Sequence, residues 1–114
     1  MSEQFLFPIY SNLKEKIKST AVDLSNIQKL YILNQTKEMF SNKDIQDMEN
    51  IYICIKLYYK EHSLELKLSK RTKGSITIEL DLLPIPLKHI IYEFCLMYDK
   101  RIHESILSVN EIHL

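Results

Sequence analysis

The sequence predicts a mainly α chain carrying one small β-hairpin, an α+β bundle of three to four helices in the order helix, helix, hairpin, helix. Three observations carry that expectation. Apolar residues recur at helical intervals in several separate stretches. Leu64, Leu66 and Leu68, and then Ile76, Ile78 and Leu80, alternate with polar residues on either side of a basic turn that holds the only glycine, Gly74. The segment Leu82-Leu-Pro-Ile-Pro then introduces a proline-bounded apolar run from Leu87.

Taken in order, Ile9, Leu13 and Ile17 at four-residue spacing after Pro8 predict a short amphipathic helix within residues 1–20. Asp23 or Ser25 can cap a second helix, in which Ile27, Leu30, Tyr31, Asn34 and Glu38 line up on one side, ending near Phe40. The break Ser41-Asn-Lys-Asp44 offers Ser41 and Asn42 oxygens to the first amides of a third helix, and Asp44 and Asp47 suit its positive end. That helix runs to about Tyr59 with Ile45, Met48, Ile51, Tyr52, Ile55 and Tyr59 on one stripe, widened by Ile53 and Leu57. A face so broad implies two packing neighbours. The hairpin occupies 63–81, with both leucine and isoleucine faces directed to one core. A last helix from about Leu87 to Ile106 turns Leu87, Ile90, Ile91, Phe94, Cys95, Tyr98 and Ile102 inward. Residues 109–114 read as a tail.

A chain of 114 residues, 46% apolar and with a single glycine, is one folded domain with one sizeable core. Fifteen basic and fifteen acidic residues cancel, so any contact with phosphates must be local. Cys54 and Cys95 stand alone in apolar helical patterns and read as buried free thiols, as expected inside a cell. The N-terminus has no basic flank before an apolar core, and no apolar run approaches membrane-spanning length. No membrane partner is expected. Heavy use of Ile, Lys, Asn and Tyr matches an AT-rich genome such as that of a large virus, a protist or a low-GC bacterium.

The residues that carry chemistry do not converge. His62, His89, His103 and His113 have no metal-ligand spacing, and His89 with Glu93 reads as a surface pair one turn apart. Gly74 alone cannot build a phosphate loop, and no Gly-x-Ser-x-Gly elbow is present. The expectation is a non-enzymatic protein without metal or cofactor. Two features of the hairpin stand out instead. Lys67, Lys70, Arg71 and Lys73 form a basic tip that is either a solvated guard against aggregation or a patch for phosphates or an acidic partner. Glu79 and Asp81 alternate outward along the second arm, either as the ordinary solvent side of a half-buried strand or as acids that select a basic peptide laid beside it. The tyrosines Tyr52, Tyr58, Tyr59, Tyr92 and Tyr98 fall at helical positions and read as core with hydroxyls at its rim.

From Ile76 to Phe94 the chain resembles the extra-terminal (NET) domain that follows the bromodomains of BET transcriptional proteins. The acidic alternating strand Ile76-Thr-Ile-Glu-Leu-Asp, the Leu/Pro turn and the aromatic-rich helix are the parts in common, and Ile51, Tyr52, Ile55 and Leu57 stand where the family has its Val-Val-x-Ile-Ile pattern. The resemblance spans roughly residues 24–98 and implies a NET-like domain over 21–108, with residues 1–20 outside it. It implies capture of short lysine-and-apolar segments of transcription or chromatin proteins, by strand addition to 76–81 and by filling a groove between helices. The residues so implied are Ile76, Thr77, Ile78, Glu79, Leu80 and Asp81 along the strand and Ile53, Leu57, Ile90 and Phe94 in the groove. Thr77 replaces a family acid, the turn before Pro84 is one residue shorter, and the basic segment 67–73 replaces a shorter acidic loop.

Two other expectations stand beside that one. A winged-helix DNA-binding protein uses the same order of elements, with hairpin 67–73 as its wing, but Asp44, Asp47 and Glu49 would face phosphates with the wrong sign. A small viral inhibitor that occludes a host protein would use the peptide surface without a transcriptional role. The location that follows is intracellular: the nucleus, or a host nucleus or cytoplasm for a viral protein.

Overall fold

The computed structural model describes residues 2–17, 22–65, 70–72, 75–77 and 79–112, with side chains for 9–17, 22–65 and 79–104. Four helices form a bundle: α1 (Ser2–Lys16), α2 (Asn26–Ser41), α3 (Ile45–Glu61) and α4 (Ile85–Ile112). Cross-helix contacts fix their directions. Lys29 of α2 joins the turn before α4, while Asn42 just beyond α2 reaches Tyr98 of α4, so these two helices run the same way. Arg101 of α4 meets Asp47 at the start of α3, and Lys14 of α1 meets Glu61 at the end of α3. Thus α1 and α3 run together, opposite to α2 and α4.

The core takes Tyr10 and Leu13 from α1, Ile32 and Met39 from α2, Cys54, Ile55 and Tyr58 from α3, and Leu87, Ile90, Ile91, Phe94, Cys95 and Tyr98 from α4, with Leu24 and Leu83 closing one end. The α4 stripe is the one its spacing predicts. The first helix is more than an extension, because Tyr10 and Leu13 are among the most buried side chains of the bundle. It also begins ahead of the apolar spacing, at Ser2, and carries Pro8 inside it, where the missing amide removes one helical bond. Likewise α4 continues to Ile112, so residues 109–112 are helix where a tail is expected.

Helix α2 departs from its expected face. Ile32 and Met39 are buried, while Ile27 and Leu30 are 82% and 57% exposed. Ser25 is the cap: its hydroxyl accepts from the Gln28 amide at 3.2 Å and the Gln28 side chain accepts from the Ser25 amide at 2.8 Å, a reciprocal capping box. The break before α3 works differently from the expectation too. Ser41 is the last residue of α2 and Asn42 its C-cap; Lys43, at φ 57°, bonds back to Phe40 and Asp44 bonds back to Met39. This is a Schellman ending made without glycine. Asp44 precedes α3 but makes no side-chain capping bond, and Ile45 is 60% exposed. The end of α3 repeats the ending at Ser63, φ 54°, with Leu64 bonded back to Tyr59.

Between α3 and α4, β1 (Lys70–Thr72) pairs antiparallel with β2 (Ser75–Thr77), Lys70 opposite Thr77 and Thr72 opposite Ser75. A hairpin spanning 63–81 is not shown. Leu64 and Glu65 lie outside any strand, and Leu80–Leu82 coil into a 3-10 turn. Ser69, Leu66, Leu68, Lys67, Lys73, Gly74 and Ile78 lie outside the described residues.

Candidate functional site

The segment that leaves β2 carries the sequence-predicted acids. Glu79 is exposed in extended backbone and Asp81 is exposed inside the 3-10 turn, so the alternation ends at Glu79 and Asp81 is placed by a turn rather than by a strand. Leu80 packs against the core, which leaves Leu82 outside at 71% exposure. Leu83 closes the turn by bonding back to Leu80 and is itself buried. The burial of Leu80 and Leu83 on one side therefore displays Glu79, Asp81 and Leu82 on the other.

A charge network fastens this turn to the bundle. Lys29 Nζ lies 3.1 Å from Asp81 Oδ1 and 3.2 Å from Asp23 Oδ2, and Lys88 Nζ approaches both Asp23 oxygens at 3.2 and 3.1 Å. Lys88 is 3% exposed in the first turn of α4, where the helix dipole opposes a cation. Asp23 is what makes that burial tolerable. The Lys88 bond, followed by the Leu24 amide and Lys29, holds the Asp23 carboxyl below its ordinary range, and the bonds to Asp81 and Asp23 push Lys29 up. His89 Nε2 donates to the Val22 carbonyl at 2.8 Å, anchoring the same loop; His89 therefore serves this contact rather than a pair with Glu93.

Of the four residues expected to line a groove, two are spent in the core. Ile90 and Phe94 are 1% and 4% exposed, used by the core, while Ile53 and Leu57 are half-buried on α3. For Ile76 and Thr77 the backbone is described and the side chains are not; the same holds for Lys70 and Arg71 of the basic tip. Each strand has one edge that is unpaired among the described residues.

A second polar cluster, which the spacing of acids did not reveal, lies at the far end of the bundle. Tyr98 donates to Asp44 Oδ2 at 2.5 Å and accepts from Asn42 Nδ2 at 3.3 Å, while Arg101 Nη2 donates to Asp47 Oδ1 at 2.7 Å and the Arg101 guanidinium carbon lies 5.5 Å from the centre of the Tyr98 ring. Burial, then the Asp44 bond, pushes the Tyr98 hydroxyl up, and the Asp47 bond pushes Arg101 up. Asp44 and Asp47 thus serve tertiary pairs across more than fifty residues of sequence, beyond the helix-end role read from their position. Asp47, Tyr98 and Arg101 border a cleft of about 290 Å³, lined also by Ile9, Asn50, Phe94 and Met97 among others, at the small end of ligand pockets. On α2, Tyr31 donates to Asp99 at 2.9 Å and packs edge-on to Tyr92.

Cys54 and Cys95 are buried free thiols pushed up to about 11 and about 12 by burial, a state that suppresses the nucleophilic thiolate. Among the described residues no group of three or more His, Cys, Asp or Glu is placed to hold a metal ion, and no helix is long and apolar enough to cross a membrane. Comparison with protein-family models, with characterised proteins and with solved structures finds no match.

Proposed function

We propose that this protein is a non-enzymatic interaction module that takes a short segment alternating lysine and apolar residues, adding it as a strand to the outer edge of β2 and placing its lysines on Glu79 and Asp81. The observation that carries this reading is the display of two exposed acids and the 71%-exposed Leu82 on the turn that follows a strand edge unpaired among the described residues. Main-chain bonds along the edge give affinity, and the acids and Leu82 give choice. The chemistry is that of the NET-like resemblance, with one change. The apolar residues of the ligand rest on Leu82 and the neighbouring surface, because Ile90 and Phe94 are occupied within the core. A transcription or chromatin protein is the partner class the resemblance names, and the nucleus is the place that goes with it.

The test is a calorimetric titration with a synthetic peptide alternating lysine and isoleucine. Glu79→Lys with Asp81→Lys turns two attractions into repulsions and lowers affinity more than about tenfold, while circular dichroism holds and the unfolding midpoint falls only by the small loss of the exposed Asp81 pair with Lys29. Equal binding by the wild type and the double variant sinks the reading.

A further inference from the structure

The outward face of α2 has no role in the bundle or in the proposed peptide site. Ile27, Leu30, Leu33 and Phe40 are 82, 57, 49 and 75% exposed, whereas Ile32 and Met39 on the opposite side are buried. At 3.6 residues per turn, Leu30 and Lys37 stand at the centre of this face, Leu33 and Phe40 along one flank, and Ile27 and Asn34 along the other. The four apolar side chains present on the order of 400 Å² of apolar surface. That is already the size of the largest patch an ordinary monomer shows. With the usual share of polar rim it corresponds to roughly 700 Å² per copy, close to one side of a standard protein interface.

We propose that two copies of this chain pair through this face, α2 antiparallel to the partner's α2 about a twofold axis beside Leu33 and Asn34. Three features favour a second copy in that direction. Leu33 and Asn34 lie at the middle of Asn26–Ser41, so an axis there overlaps the whole helix on its mate. The Asn34 side chain carries both donors and an acceptor, so two such amides satisfy one another across an axis. Lys37, exposed at the centre of the face, falls opposite the partner's Leu30 in the antiparallel pair, where its aliphatic stem packs and the two ammonium groups stay apart, whereas a parallel pair would set Lys37 against its own copy. Antiparallel helix dipoles add to the same preference. The pairing does not depend on the peptide-binding reading.

Sedimentation equilibrium of the full chain over about 1–100 µM gives a dimer. Leu30→Glu with Leu33→Glu, both at positions that face water in the single chain, gives a folded monomer with unchanged helix content and association weakened more than about a hundredfold. Orientation is read by oxidation: the Asn34→Cys variant forms a disulfide-linked dimer and the Ile27→Cys variant does not, because only position 34 lies near the axis. Native Cys54 and Cys95 are buried and do not compete. A wild-type chain that stays monomeric throughout the range overturns the proposal, as does a dimer that survives the two glutamates or one that links through position 27 as readily as through 34.

Discussion

Replacing Arg101 with alanine is expected to cost more stability than replacing Asp47, although Arg101 is the exposed member of the pair. The side chains are 59% and 10% exposed, with 2.7 Å between Arg101 Nη2 and Asp47 Oδ1. Without Arg101 the Asp47 carboxylate stays in the bundle without its ion-pair partner. Stranding a fully buried charge costs about 3–5 kcal/mol, and the first turn of α3 together with residual water returns part of that, leaving about 2 kcal/mol. The contact with the Tyr98 ring adds about 0.5 kcal/mol. Without Asp47, in contrast, Arg101 swings into water, and the loss is that of a half-exposed pair and a favourable helix-end charge, about 1 kcal/mol. At about 4 °C per kcal/mol for a domain of this size, the midpoints fall by about 10 °C and about 4 °C respectively. Urea unfolding of both single variants and the double closes the cycle. The double should resemble Asp47→Ala, because Arg101 has little to hold once Asp47 is gone. An Asp47→Ala loss equal to or larger than that of Arg101→Ala, or strictly additive losses, refutes the reasoning.

Lys43→Gly and Ser63→Gly should each stabilise by about 0.5–1 kcal/mol, since both residues sit at positive φ in helix endings that glycine takes without a Cβ clash; a lower urea midpoint for either contradicts this. His103 Nδ1 donates to the Asp99 carbonyl at 3.0 Å and lies 3.1 Å from its carboxylate, and that backbone bond, then the Asp99 charge, raises its pKa above 6.5. The resulting stabilisation is fully present below the unfolded value and is lost as pH rises through the folded one. A proton NMR titration of the His103 ring should therefore show a midpoint above 6.5, and one below it would remove the contact from the account. If Asp81 receives a ligand's lysine, Lys29 competes with that lysine from within the chain, so Lys29→Gln should tighten binding of the alternating lysine and isoleucine peptide about two- to fivefold; unchanged or weaker binding excludes the competition.

What the sequence made legible follows from where one physical signal dominated. In α4 the inward stripe from Leu87 to Tyr98 meets all three other helices, and only one face is apolar enough to be buried. In α2 apolar residues occur on both sides, so Ile27 and Leu30 were as plausible for the core as Ile32 and Met39; half-buried Gln28, Gln35 and Thr36 flank the true inner face and blur its edge. The ends of α2 and α3 were hidden for a different reason: Lys43 and Ser63 take the left-handed conformation usually announced by glycine, and the single glycine stands elsewhere. At the candidate site, the exposure of Glu79 and Asp81 was readable from alternation, but the Lys29, Asp23 and Lys88 network was not, because its members are brought together only by the bundle. The groove that includes Ile90 and Phe94 is implied by the resemblance alone, and both side chains are buried in the core. A periodic pattern marks a helix's inner side without telling whether the opposing helices leave a gap there.

Where a basic, apolar segment binds can be read from a two-dimensional amide NMR titration of the labelled chain with the alternating lysine and isoleucine peptide. Strand addition puts the largest shifts on residues 75–82, with the Ser75 to Thr77 amides gaining protection from hydrogen exchange as the new strand pairs with β2. Shifts that cluster instead around Asp47, Tyr98 and Arg101, with 75–82 unmoved, would contradict it.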